Sequence, residues 1–239
     1  MATDSKSPVI ESKLWGMVTR KPRWAISWKG WLVLVGVGGL TVGLFVTNIY
    51  GFLAVNKPVT ANLLVVEGWV HDYAIRVGVE EFRTGKYDAV FATGGPVAGT
   101  GAYTSDFKTS AHVGAGLLLA SGLPPDKLVM VPSRVSSRDR TYGAALALKQ
   151  YFQEQGTYVN SLNVVTENVH ARRTRLLYQE AFGPDVKIGI IAARNPDYDS
   201  RRWWRYSPGV RDVIGETIAY LYARILFRPD AAALSTQNR

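Results

Sequence analysis

The sequence predicts an α/β fold, a mainly parallel five-stranded sheet covered by helices on both faces, preceded by one transmembrane helix. Three observations carry this. Short unbroken apolar runs alternate with helical segments from residue 62 onward, as a parallel sheet buried on both sides requires. Turn and capping signals separate the runs. A 25-residue stretch, 31–55, carries no charged residue.

Trp31 to Val55 reads WLVLVGVGGLTVGLFVTNIYGFLAV. At about 1.5 Å per residue it exceeds a hydrocarbon core of roughly 30 Å. Trp28, Trp31 and Tyr50 stand near its ends, where amphipathic rings favour the headgroup layer. A buried core helix is rarely so long. A signal peptide has a shorter apolar part and a small-residue cleavage site, and no convincing site follows here. Six basic residues (Lys6, Lys13, Arg20, Lys21, Arg23, Lys29) precede the span against Asp4 and Glu11, and only Lys57 follows closely. The positive-inside rule then puts residues 1–30 in the cytoplasm and the domain, 56–228, outside it, with a polar tail at 229–239. The expected topology is a single crossing. Gly39 and Gly43 form one small-xxx-small pair, a possible homodimer contact, although glycine is common in membrane helices.

Along the domain, strands are expected at Asn62–Val66, Asp88–Ala92, Lys127–Val131, Leu162–Thr166 and Val186–Ala192. Helices are expected at His71–Arg83, Thr104–Ser121, Asp139–Gln155, His170–Phe182 and Val210–Phe227. Gly122-Leu-Pro-Pro125 closes the second of these, as glycine and proline after a helix should.

Composition narrows the chemistry. Of the net charge of +9, residues 1–30 hold +4, which leaves +5 on the domain. A basic domain suits anionic lipid, a phosphorylated substrate or nucleic acid. With an anchor present and no nucleic-acid-binding signature, lipid and phosphate rank first, and no nucleic acid partner is expected. There are no cysteines, so disulfides, thiolate metal sites and cysteine nucleophiles are excluded. His71, His112 and His170 make no metal-ligand spacing, and neither a G-x-S-x-G elbow nor a P-loop occurs. The sequence leaves the cofactor open.

Ligands of open α/β sheets bind outside the carboxyl ends of the strands, so those ends supply the candidate site. Thr93-Gly94-Gly95 makes an anion cradle or a plain tight turn. Thr166 ends the fourth strand. His170 and Arg173 share a face of the helix that follows, where dipole and cations converge on an anion; the alternative is a solvated basic face with His170 as a cap. Asp139 and Thr141 stand where the third helix begins, and capping suits one of them. Glu67 at the end of a buried strand needs partners: it is a general base, a ligand for a hydroxyl, or the mate of an arginine. Catalytic candidates are therefore Glu67, Asp139 and His170. Phosphate-binding candidates are Thr93, Gly94, Gly95, Thr141, Thr166 and Arg173. Trp203-Trp204, between Arg202 and Arg205, is a lid, a membrane contact, or packing for the last helix.

Several of these motifs together resemble the SanA, ElyC and YdcF family of bacterial envelope proteins over roughly residues 62–227. They are Thr93-Gly94-Gly95 (typically Ser-Gly-Gly in the family), Gly122-Leu123-Pro124, Asp139-Arg140-Thr141, and above all Val164-Val165-Thr166 followed by His170-x-x-Arg173. The chain departs from the pattern at Glu67-Gly68, where a glycine pair is usual. It departs again at Ser110, where many members have glutamate, and at Gly143-Ala144 in place of Glu-Asn. Glu67 or Asp139 then replaces the missing acids, or the chain has no catalytic role. The resemblance implies a Rossmann-like three-layer sandwich, often membrane-anchored and facing the periplasm, and so that the membrane is a bacterial inner one. It also implies links to peptidoglycan, envelope integrity and lipid-carrier metabolism; one cytoplasmic relative is associated with S-adenosylmethionine binding. The expected function is action on, or binding of, a phosphorylated glycan or lipid-carrier intermediate. The alternatives are a non-catalytic module for a nucleotide-like ligand and an envelope scaffold.

Overall fold

The structure is a computed structural model that describes residues 12–13, 18–19, 26–97, 109–134 and 139–229. The first part of the expected Thr104–Ser121 helix, Arg138 and most of both tails lie outside the described residues. Two compact units are distinguished, 1–45 and 46–239. In the first, β1 (Ser12–Lys13) pairs antiparallel with β2 (Val18–Thr19).

Helix α1 (Trp28–Leu53) has 26 residues, is long and apolar enough to cross a membrane, and leaves its most apolar stretch unburied. Its last two turns belong to the second unit. There Ile49 and Leu53 are buried with Val169, Tyr198, Trp203 and Val213. The Trp203 indole Nε1–H donates to the Val46 carbonyl at 3.0 Å.

The sheet of the second unit consists of β3 (Leu63–Glu67), β4 (Ala89–Gly94), β5 (Leu128–Pro132), β6 (Ser161–Glu167) and β7 (Lys187–Ala193). All neighbours run parallel, in the order β5-β4-β3-β6-β7. The expected strands are all present, shifted by one or two residues. β3 is buried at all five positions, which explains its unbroken apolar run.

Alternate residues of each strand serve opposite faces. Leu63, Val65, Phe91, Val164 and Ile190 point to one layer, where they pack with residues of α4 (Arg140–Glu154) and α5 (Ala171–Phe182). Leu64, Val66, Val90, Ala92 and Val165 point to the other, with α2 (Asp72–Thr84) and α3 (Ser110–Ala120). The last helix, α6 (Ser207–Ile225), begins three residues before the expected start. The three-layer α/β architecture is thus the expected one.

The chain starts at the centre of the sheet, goes outward through β4 and β5, and returns to the other side of β3 with β6 and β7. Order reverses between β3 and β6. Crossovers leave these two strands in opposite directions, and a crevice opens beyond their carboxyl ends.

Candidate functional site

A cavity of about 230 Å³ fills that crevice. Eight of the nine residues expected at the site line it: Glu67, Thr93, Gly94, Gly95, Asp139, Thr141, His170 and Arg173. Parallel register explains part of this gathering, since Glu67 and Thr93 are direct neighbours across β3 and β4.

Close backbone approach shapes the floor. α3 begins directly on the strand ends: a Cβ at Gly68 would stand 2.1 Å from the Ser110 carbonyl oxygen, and one at Gly114 would stand 2.4 Å from Gly68 Cα. Gly94 meets Ser110 in the same way, at 2.7 Å from its Cβ. These glycines are needed for contact between helix and sheet. Thr109 caps α3, its Oγ1 accepting from the His112 N–H at 3.3 Å and lying 2.6 Å from His112 Nδ1. The first residues of α3 and α4 and the N-cap of α5 all line the cavity. Three helix N-termini therefore turn their partial positive charge toward one space.

Glu67 is the most deeply buried carboxylate, 1% exposed. Its Oε2 accepts from Thr174 Oγ1 at 3.1 Å, while its Oε1 is buried without a hydrogen bond. No arginine pairs with it among the described residues, contrary to one of the three expectations for it. Burial pushes its carboxyl above the usual carboxylate range; Thr166 and Trp69, and the charges of His170 and Arg173, pull the other way and do not prevail. A neutral Glu67 is an O–H donor.

Thr166 is the exception among the expected residues. It is fully buried, its hydroxyl makes no hydrogen bond, and it does not line the cavity. It stands one residue before the end of β6 with its side chain within the layers, and its influence reaches the site only through Glu67.

The Arg173 guanidinium is partly engaged by an acid: Nε donates to Glu216 Oε2 at 2.8 Å and Nη2 to Glu216 Oε1 at 2.9 Å. His170 Nδ1 lies 2.9 Å from the same Oε1. As the donor to Glu216, Nδ1 cannot also accept from Arg173 Nη2, although the two are 3.1 Å apart. The Trp69 ring meets the His170 ring edge-on at 4.8 Å. Burial raises the Glu216 carboxyl, but hydrogen bonds from His170 and Arg173, and then their charges, outweigh this and hold it down at about 2.

Glu216 was not among the sequence candidates. Its only signal is an acid on the helix face that also carries Gly209, Val213 and Ala223, all buried. Arg140, exposed at the start of α4, is the other cation of the cavity wall. Asp139 occupies the N-cap position of α4 in a left-handed conformation, φ 55° and ψ 38°, without a side-chain cap bond. Capping is therefore not its role, and backbone strain is concentrated at the rim.

The opposite wall is apolar and comes from α5 and the end of α6: Leu177, Ala219, Tyr222, Ala223 and Phe227. The cavity thus offers donors and helix dipoles on one side and hydrocarbon on the other. Of the other histidines, His71 is tied through Nδ1 to Glu167 at 2.6 Å, and His112 to Thr109. Trp203 is buried, so it packs the last helix, and Trp204 remains 41% exposed.

Comparison with protein-family models and with curated proteins finds no match for this chain.

Proposed function

We propose that this chain is a membrane-anchored domain of the SanA, ElyC and YdcF type. In this reading it faces outward from a bacterial inner membrane and binds or transforms a phosphorylated glycan or lipid-carrier intermediate of envelope biogenesis. One observation carries the reading: the cavity pairs an anion-attracting wall with an apolar one on the strand edge that also receives the end of α1. Val169, beside the cavity's His170, packs with Ile49 and Leu53, and Tyr50 Oη bonds Asn168. A ligand with a phosphate head and a hydrocarbon tail suits both walls.

In this reading the phosphate lies against the Thr93–Gly95 turn and the starts of α3, α4 and α5, with Arg140 as its exposed cation. Glu67, whose carboxyl is raised by burial, donates to a ligand oxygen in its protonated form. Asp139 at the rim positions a water or hydroxyl, and His170 presents the imidazole edge that Glu216 does not occupy. Arg173 shapes the wall through Glu216 and supplies its remaining Nη1 donors.

The test is a thermal-shift screen of the full chain in detergent. It covers pyrophosphate, nucleotides, sugar nucleotides, S-adenosylmethionine and short-chain polyprenyl phosphates. A ligand at a hundredfold excess over its dissociation constant stabilises the fold by about 2.7 kcal/mol. Polyprenyl phosphate is expected to raise the melting temperature more than pyrophosphate, and Arg140→Ala to reduce that rise. Arg140 is the better probe because it has no described carboxylate partner, whereas removing Arg173 strands Glu216. No shift with any phosphorylated compound would defeat the proposal. Binding without turnover would assign the chain to the non-catalytic alternative.

A further inference from the structure

α6 has an apolar face that none of the described residues covers. Val210, Ile214, Ile218, Leu221 and Ile225 are 40%, 40%, 64%, 49% and 69% exposed. Their spacing of four, four, three and four residues gathers them within about 80° of arc on an α-helix. The helix already buries another face, with Val213, Glu216 and Ala223 turned into the domain. A helix on a water-exposed surface needs one apolar stripe, facing inward. This one has a second, facing outward.

The position and charge of the stripe point to its partner. α6 is fastened to the end of the anchor: Val213 packs with Ile49 and Leu53, and the Tyr220 and Phe52 rings meet edge-on at 5.4 Å. Arg201, Arg202, Arg205, Arg211, Arg224 and Arg228 are all exposed on α6 and its flanks. The acids of that segment are Asp212 and Glu216, the second of which is consumed by Arg173. Trp204 and Tyr206, at 41% and 40% exposure, precede the helix, as ring anchors of a headgroup layer do. A groove of about 260 Å³ beside Val55 is lined by Arg172 and Arg175, neither paired with a carboxylate among the described residues. A second copy of the chain would bring like-charged arginines together, whereas an anionic lipid surface complements them.

We infer that α6 is an interfacial helix, lying with its outward stripe in the headgroup layer of an anionic bilayer, the same bilayer that holds α1. The inference rests on α1 as a membrane anchor and not on what the cavity binds. It places Tyr222, which lines the cavity and is 36% exposed, between the lipid surface and the cavity wall.

Because the chain has no cysteine, single cysteines are unique labelling sites. The full chain is reconstituted in phosphatidylcholine and phosphatidylglycerol vesicles with a nitroxide at Ile218→Cys or Ile225→Cys. Leu40→Cys in α1 serves as the lipid reference. Tyr158→Cys, 85% exposed just before β6 at the far edge of the sheet, serves as the water reference. Collisions with oxygen should exceed collisions with a water-soluble nickel chelate several-fold at 218 and 225, relative to 158. Labels at 218 and 225 that behave like 158 while 40 reads as lipid-immersed would overturn the interfacial helix and leave the anchor standing. Shielding from both reagents with spin–spin broadening would overturn it in favour of a second copy. An aqueous reading at 40 as well would overturn it together with the anchor.

Discussion

Arg173 and Glu216 form a side-on pair, Nε to Oε2 at 2.8 Å and Nη2 to Oε1 at 2.9 Å, that joins α5 to α6 across the wall of the cavity. The Glu216 side chain is 9% exposed and that of Arg173 19%. Removing one partner of such a pair leaves a poorly hydrated charge. Glu216→Ala is expected to cost about 3 kcal/mol, measured by denaturant unfolding in detergent. A loss below about 1 kcal/mol would mean that the pair behaves as a surface salt bridge.

Acid should reveal the same pair. The Glu216 carboxyl is held at about 2 in the fold, below its unfolded value of roughly 4.3. The contribution is therefore present above the unfolded value and lost as pH falls toward 2. Melting temperature should drop over that window in the parent chain, and Glu216→Gln should lose less there. Parallel curves for the two would contradict the assignment.

Glu67 has the opposite sign. Its folded value is raised, chiefly by burial, so its favourable contribution is present below the unfolded value and is lost as pH rises through the folded one. Glu67→Gln keeps the shape and removes the titration. It should hold its melting temperature, or gain, in neutral and alkaline solution relative to the parent. If Glu67 also donates the proton in turnover, the variant stays folded and inactive; a destabilised variant at neutral pH would show that the carboxylate form is the native one.

Gly114 allows α3 to rest on Gly68, where an added Cβ would meet backbone at 2.4 Å. Backbone cannot move aside as a side chain can. Gly114→Ala should cost about 1–3 kcal/mol and loosen the cavity floor, read as a lower unfolding midpoint together with weaker ligand-induced shifts. An unchanged midpoint would show that the close approach is not required.

Asp139 holds a left-handed backbone, which costs most residues roughly 1–2 kcal/mol, aspartate less, and glycine almost nothing. Asp139→Gly should therefore raise stability by a few tenths to about 1 kcal/mol, part of the gain being lost to the freer unfolded chain. The same change should weaken the thermal shift produced by a phosphorylated ligand, a separation of stability from function that a merely structural residue would not give.

The sequence alone determined the α/β class, the five strands and the apolar span, because each depends on local periodicity and on runs that only burial on both faces explains. It also marked eight residues of the cavity, because parallel strands deliver their carboxyl ends to one edge whatever their order. Tertiary structure decided what those residues do. Glu216 is 43 positions from Arg173 and carries no motif, so its capture of the guanidinium depends on how α6 crosses α5. Thr166 does not reach the cavity because its short side chain is fully buried between sheet and helices, one residue before the end of β6. The outward stripe of α6 was written in the spacing of Val210, Ile214, Ile218, Leu221 and Ile225, but periodicity shows only that a helix has an apolar face. Which face the core takes, and which is left for another partner, is fixed by packing alone.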